Sequence, residues 1–227
     1  MKPLISEEND SATLQNLGRA SLQIIHDIKN QLNGLKLYAT YLRKRMEKIE
    51  EANELQETLV KLIGGIDRAA NDLNVLVQYG RPISLSKHQG IDVQKLMRQV
   101  AATWSDSADS EPGCKLVIDN EAESLLGEFD PTAIAEAFRS ISAGAAKAID
   151  RDNPQSIQVR LTREEVSRVP CAVVEWKPVF FMSDDPFRSF NGSDAIRMSL
   201  AAKIVEAHGG SARHKDQTLR VYLPLFS

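Results

Sequence analysis

The sequence predicts an α plus α/β protein: a long helical hairpin, doubled by a second copy into a dimeric four-helix bundle, then an α/β sandwich. Two heptad seams and one change of period predict it. The first seam runs Ile25, Ile28, Leu32, Leu35, Ala39, Leu42, Met46, in alternating steps of three and four. The second runs Leu55, Leu59, Leu62, Ile66, Ala69, Leu73, Leu76 in the same rhythm. Such spacing keeps one apolar stripe facing a partner helix. From residue 91 onward the pattern mixes helical and alternating segments instead. The expected domains are therefore residues 1–82 and 83–227.

The two seams are joined by EKIEEANE, which has neither Gly nor Pro and suits a short turn or a helical joint. Gly80 and Pro82 close the second helix, one by capping and one by lacking a backbone donor. Ile24, Leu37, Tyr38, Tyr41, Ile63 and Val77 flank the seams. That is more apolar surface than one hairpin covers, so the economical arrangement is a homodimer.

In the second domain, IDVQKLMRQVAATW reads as an amphipathic helix with Val93, Leu96, Met97, Val100 and Trp104 on one face. CKLVIDNE alternates as a strand does. DPTAIAEAFRSISAGAAKAID is helical, with Asp130 as N-cap and Pro131 in the first turn. SIQVRLTRE and CAVVEWKPV are strands, SDAIRMSLAAKIVEAHGG is a helix stopped by Gly209 and Gly210, and TLRVYLPL is a last strand. The strands have an antiparallel character.

Composition narrows the function. With 227 residues, 42% hydrophobic, 26% charged and a net charge of −3, the chain fits an ordinary globular protein. It lacks the basic tract that non-specific nucleic-acid binding needs. Its apolar runs are shorter than the roughly 18–20 residues that cross a bilayer. The start, MKPLISEENDSATLQN, is acidic and has no signal-peptide core. A cytoplasmic protein without membrane contact is expected. Cys114 and Cys171 have no CxxC partner and are expected as buried thiols. His26, His88, His208 and His214 form no zinc spacing, so no metal site is expected.

His26 is the candidate for chemistry. With Ile25 and Ile28 on the seam, His26, Lys29, Asn30 and Asn33 share an outer helix face. A solvated histidine is the ordinary occupant of such a face. A neutral imidazole is also a good nucleophile toward phosphorus. Asp27 beside it suits holding the ring tautomer, Asn30 suits positioning a water or a phosphoryl oxygen, and Lys29 brings positive charge.

HDIKNQL resembles the H-box of bacterial sensor histidine kinases, where the phosphoacceptor His is followed by an acidic residue and, at the fourth position, Asn or Thr. The family's following Pro is here Gln31. VLVQYGRP resembles the family's exit from its helical hairpin, and AKIVEAHGGSARHKDQTLRVYLPL resembles the last helix and strand pair of its ATP-binding domain. The resemblance covers residues from about 14 to 227. It implies that His26, Asp27 and Asn30 form a phosphotransfer site.

The family's nucleotide motifs are missing. Its two N-box asparagines fall on Ser140 and Gly144, and neither is a carboxamide ligand for Mg²⁺. Its Asp-x-Gly-x-Gly falls near Trp176 and Pro178, and its second glycine segment falls on NGSDAIRMSL, where Ala195 and Arg197 replace glycines. Gly192 remains, beside Asp194. Side chains there oppose the close backbone approach that phosphates need. The second domain is thus expected to be a degenerate histidine-kinase ATPase-like sandwich that takes no cofactor.

A kinase-like bundle without ATP, and without a legible sensor, membrane or receiver segment, resembles the histidine phosphotransferases of phosphorelays, of the alphaproteobacterial cell-cycle and bacilli sporulation types. The expected partners are response-regulator receiver domains, which bring their own Mg²⁺. Leu22, Ile24, Leu37 and Tyr41 suit either receiver docking or the dimer core, and DDPFRSFNGSD is a loop candidate for receiver contact. Alternatives are a non-catalytic adaptor, a response-regulator phosphatase using Asn30 and water, and a working sensor kinase.

Overall fold

The computed structural model describes residues 25, 28–44, 46, 53–104, 114–120, 124–149, 156–181, 185–189 and 193–226. The chain forms two compact units, Met1–Arg81 and Pro82–Ser227.

In the first unit, helix α1 (residues 28–44) is followed by α2 (Asn53–Gly80). The amide of Gln56 donates to the carbonyl of Met46 at 3.2 Å, and Lys36 pairs with Asp67 at 2.6 Å. One partner number rises as the other falls, so the helices run antiparallel. The heptad seam divides in a way the sequence did not separate. Leu32 and Met46 are half-buried and Ala39 is buried, while the alternate positions Ile28, Leu35 and Leu42 stay 41%, 55% and 49% exposed. On α2, Ile66 is buried, but Leu55 and Leu62 remain open. Leu37, Tyr38 and Tyr41 are also exposed. The hairpin therefore covers most of its seam and leaves Ile28, Leu35, Leu42, Leu55 and Leu62 exposed.

The second unit is a sandwich of helices on a sheet. Its elements are β1 (His88–Asp92), α3 (Val93–Ala102), β2 (Leu116–Asn120), β3 (Leu126–Phe129), α4 (Pro131–Lys147), β4 (Ile157–Val166), β5 (Val169–Lys177), α5 (Ser193–Ala207), β6 (Ser211–Lys215) and β7 (Thr218–Pro224). Five strands form one sheet in the order β2-β4-β5-β7-β6, and β1 and β3 form a separate pair. Among the described residues β2 with β4 is the one parallel pair, a departure from the antiparallel character expected of the strands.

Register explains which residues reach the core. Val159, Trp176 and Leu219 lie opposite one another, as do Leu161, Val174 and Val221, and all six are fully buried. Strand neighbours share a face, so these rows form the floor on which α4 and α5 rest. Val93, Met97 and Val100 supply the buried stripe of α3. Trp104, expected on that helix, lies just past its end, still buried, with its indole N–H donated to the carbonyl of Cys114 at 3.1 Å. Cys171 is buried but Cys114 is only half-buried, and the two are not joined in a disulfide.

Candidate functional site

Of the expected phosphotransfer residues, His26 and Asp27 lie outside the described residues. Asn30 is exposed on α1, Asn33 is exposed three residues on, and Lys29 is half-buried. The side chains that line up with nucleotide motifs are described more fully, and they make a packed interior. Trp176 has no exposed surface. Its indole N–H donates to the hydroxyl of Ser142 on α4 at 2.9 Å, and Ser142 is itself fully buried. Phe138, one turn earlier on α4, sits against the indole with ring centroids 5.8 Å apart. A satisfied donor inside an apolar shell holds the indole in one orientation.

Gly144 lets α4 and α5 close together. A Cβ built there would lie 2.4 Å from the sulfur of Met198 and 2.9 Å from its Cγ. Met198 thus fills the space that an asparagine side chain at residue 144 would need. At the helix ends, Lys147 donates to both carboxylate oxygens of Asp194 at 2.7 Å, bridging α4 to the first turn of α5. Ser140 and Arg197 are half-buried, as is Ala195. Gly192 lies outside the described residues. Pro178 is exposed just beyond β5.

The segment leading to α5 is pinned at several points. The Phe180 amide donates to the carbonyl of Ala148 at 2.7 Å, and Val179 donates to Gln217 at 2.9 Å. Phe187 is buried, and Ser199 on α5 donates to the carbonyl of Ser189 at 2.9 Å. Of the loop proposed for receiver contact, Asp185 and Arg188 are exposed, whereas Pro186 and Phe187 pack inward.

A second cluster was not singled out from the sequence. His208, buried at the end of α5, donates its Nδ1–H to the Ile204 carbonyl at 2.8 Å. Its Nε2 accepts from the Asp130 amide at 3.0 Å. The ring is therefore the neutral Nδ1–H tautomer, and burial holds its pKa below the usual histidine value. Asp130 in turn caps α4 by accepting from Thr132 and Ala133, each at 3.0 Å, and binds the Ser86 amide at 2.8 Å. The Ala133 hydrogen bond is the largest influence lowering its carboxyl pKa, with the Ser86 and Thr132 bonds adding to it. The histidine followed by Gly209 and Gly210 was the available sequence signal. Among the described residues no cluster of His, Cys, Asp and Glu could hold a metal ion, and no helix is long and apolar enough to cross a membrane.

A helical hairpin followed by this sandwich is the fold of the histidine kinases. The chain is similar to the sensor histidine kinase ZraS of Klebsiella oxytoca, 24% identical over 221 residues that span 92% of this chain and 46% of that protein. The ZraS of Escherichia coli (strain K12) is 23% identical over 222 residues, with the same coverage. The chain thus spans about half the length of the curated relatives it matches. No family model matches the sequence. Among solved structures, full-length ShkA in complex with AMPPNP superposes with a TM-score of 0.68 at 17% identity, over 92% of this chain and 46% of that one. The histidine kinase ThkA, in complex with the response regulator protein TrrA, gives 0.53 at 14% identity, over 99% of this chain and 68% of that one. Both curated relatives are sensor histidine kinases.

Proposed function

We propose that the protein is a histidine phosphotransferase that relays a phosphoryl group between receiver-domain aspartates through His26, without binding ATP. The observation that carries this reading is the packing between α4, β5 and α5. Two positions that the family resemblance assigns to nucleotide motifs are packed: Trp176 against Ser142 and Phe138, and Gly144 beneath Met198. Close packing at those two positions opposes a nucleotide there without repacking. The sequence supports it too, since no asparagine stands at residue 140 or 144 to hold Mg²⁺.

In this reading the imidazole nitrogen of His26 attacks the phosphorus of a receiver's aspartyl phosphate in line. The P–O bond to the aspartate breaks, and the aspartate leaves as a carboxylate. Asp27 orients the ring and offsets the positive charge on the phosphorylated imidazole. A second receiver's aspartate then attacks the same phosphorus, and His26 departs as neutral imidazole. The receivers supply the Mg²⁺. ThkA, a structural neighbour, has been seen with a response regulator, which supports receivers as the partner class.

The same reading makes the protein a cytoplasmic homodimer. Ile28, Leu35 and Leu42 on α1, with Leu55 and Leu62 on α2, are an apolar stripe that one chain leaves in water. A second copy would cover it at about 25 cal/mol per Å².

The test of the ATP-independent part is incubation of the full chain with γ-labelled ATP and Mg²⁺. No acid-labile label is expected. Label on His26 would make the protein an autokinase and refute this part.

A further inference from the structure

The face of the five-stranded sheet opposite the helices carries a charged row across every strand. By register, Asp119, Arg160, Glu175, Arg220 and Arg213 lie opposite one another from β2 to β6. The signs alternate until the last step, where Arg213 faces Arg220. Arg220 is committed to Glu175, which is buried. Like charges directly opposite in a sheet are destabilising, so the fold carries an unfavourable pair at its edge.

Arg213 is exposed, and its guanidinium lies 5.6 Å from the centre of the Tyr222 ring. That stacking steadies the planar fork while leaving its N–H groups able to meet a carboxylate. Lys215, two residues along β6, points to the same face and is also exposed. Lys177 on β5 shares that face as well. The β5-β7-β6 part of the face thus bears Lys177, Arg220, Arg213 and Lys215 against Glu175, with the exposed Asp216 carboxylate at the adjoining turn 3.8 Å from the Lys215 ammonium, in a chain whose net charge is −3. Among the described residues β6 pairs only with β7 and ends the sheet, so its outer backbone donors and acceptors face outward.

We propose that the β6 edge is a docking site for an extended acidic segment of a partner protein, read by Arg213 and Lys215. The segment adds as a further strand, and backbone hydrogen bonds hold it. Carboxylates two residues apart meet Arg213 and Lys215, and the first restores the alternation of the charged row. Charged edges also guard a sheet against unwanted pairing. A guard works with either sign, however, and an acid at residue 213 would have guarded the edge while neutralising Arg220. The proposal is independent of phosphotransfer through His26.

The test is titration of the isotope-labelled full chain with a capped peptide of alternating Glu and Val. A Lys/Val peptide and heparin are the comparisons. Amide shifts and slowed hydrogen exchange are expected at Ser211–Lys215 and neighbouring β7, with affinity falling as salt rises. Arg213→Glu is expected to lose at least tenfold in affinity, yet to melt no lower than the parent, because it now faces Arg220 with the opposite charge. No shift at β6 at millimolar peptide would overturn the proposal. So would equal binding by Arg213→Glu or by the Lys/Val peptide, the same β6 pattern with heparin, or self-association through β6 without peptide.

Discussion

Gly144 and Met198 make the case at the scale of a single residue. An asparagine at residue 144 would drive its Cβ into the Met198 thioether. Overpacking of this kind costs about 1–3 kcal/mol. Gly144→Asn alone should lower the denaturant midpoint, and adding Met198→Ala should recover part of the loss. Equal stability of the single variant and the parent would show that the helices do not close as described. His208 gives a pH dependence whose sign follows from burial. Its folded pKa is depressed, so below the ordinary value of 6.5 the unfolded chain takes up a proton that the folded ring refuses. Stability present above that value is therefore lost as pH falls. His208→Phe should cost about 1–3 kcal/mol at neutral pH by orphaning the Asp130 amide and the Ile204 carbonyl. It should also flatten the thermal midpoint between pH 7 and pH 5.5. Asp130 adds a further loss only below its ordinary value of 3.8.

Elements show how far local pattern reaches. The α3 helix was legible from its apolar face and α4 from Asp130-Pro131, a sequence-level start signal, while the Asp92 cap of α3 emerged only from the structure. The long strands β4, β5 and β7 were legible from their apolar content. The short pair β1 and β3 was not, since HQGID and LGEF carry too few β-branched residues to stand out. The hairpin turns were hidden for another reason. Ser167-Arg168 and Asp216-Gln217 adopt positive φ with no glycine in either pair, so the usual Asn-Gly signal is missing. A left-handed residue other than glycine costs about 1–2 kcal/mol, offset in a glycine variant by about 0.5–1 kcal/mol of chain entropy. Gln217→Gly should thus stabilise the second unit by about 1 kcal/mol, and a lower melting point would contradict this account of the turn. The nucleotide-motif substitutions were visible as letters, but their packing was not. Nothing in the spacing linked Trp176 to Ser142, or Gly144 to Met198, because those contacts join different elements.

For the whole molecule, the heptads gave the hairpin but not which seam positions one chain leaves exposed. Periodicity marks a stripe and leaves the number of partners open. The structure divides the α1 seam into buried or half-buried Leu32, Ala39 and Met46 and exposed Ile28, Leu35 and Leu42. Light scattering should therefore report a dimer at micromolar concentration, and Leu35→Glu should shift it to monomer with the second unit still folded. A monomeric parent would contradict the bundle. The phosphotransfer claim concerns the assembled molecule as well. The most direct measurement mixes the full chain with a receiver domain carrying labelled aspartyl phosphate, then adds a second, unlabelled receiver. An acid-labile label is expected on the protein, passing to the second receiver and absent from His26→Ala. Loss of the receiver's phosphate to water without any phosphohistidine, or transfer undiminished in His26→Ala, would contradict it.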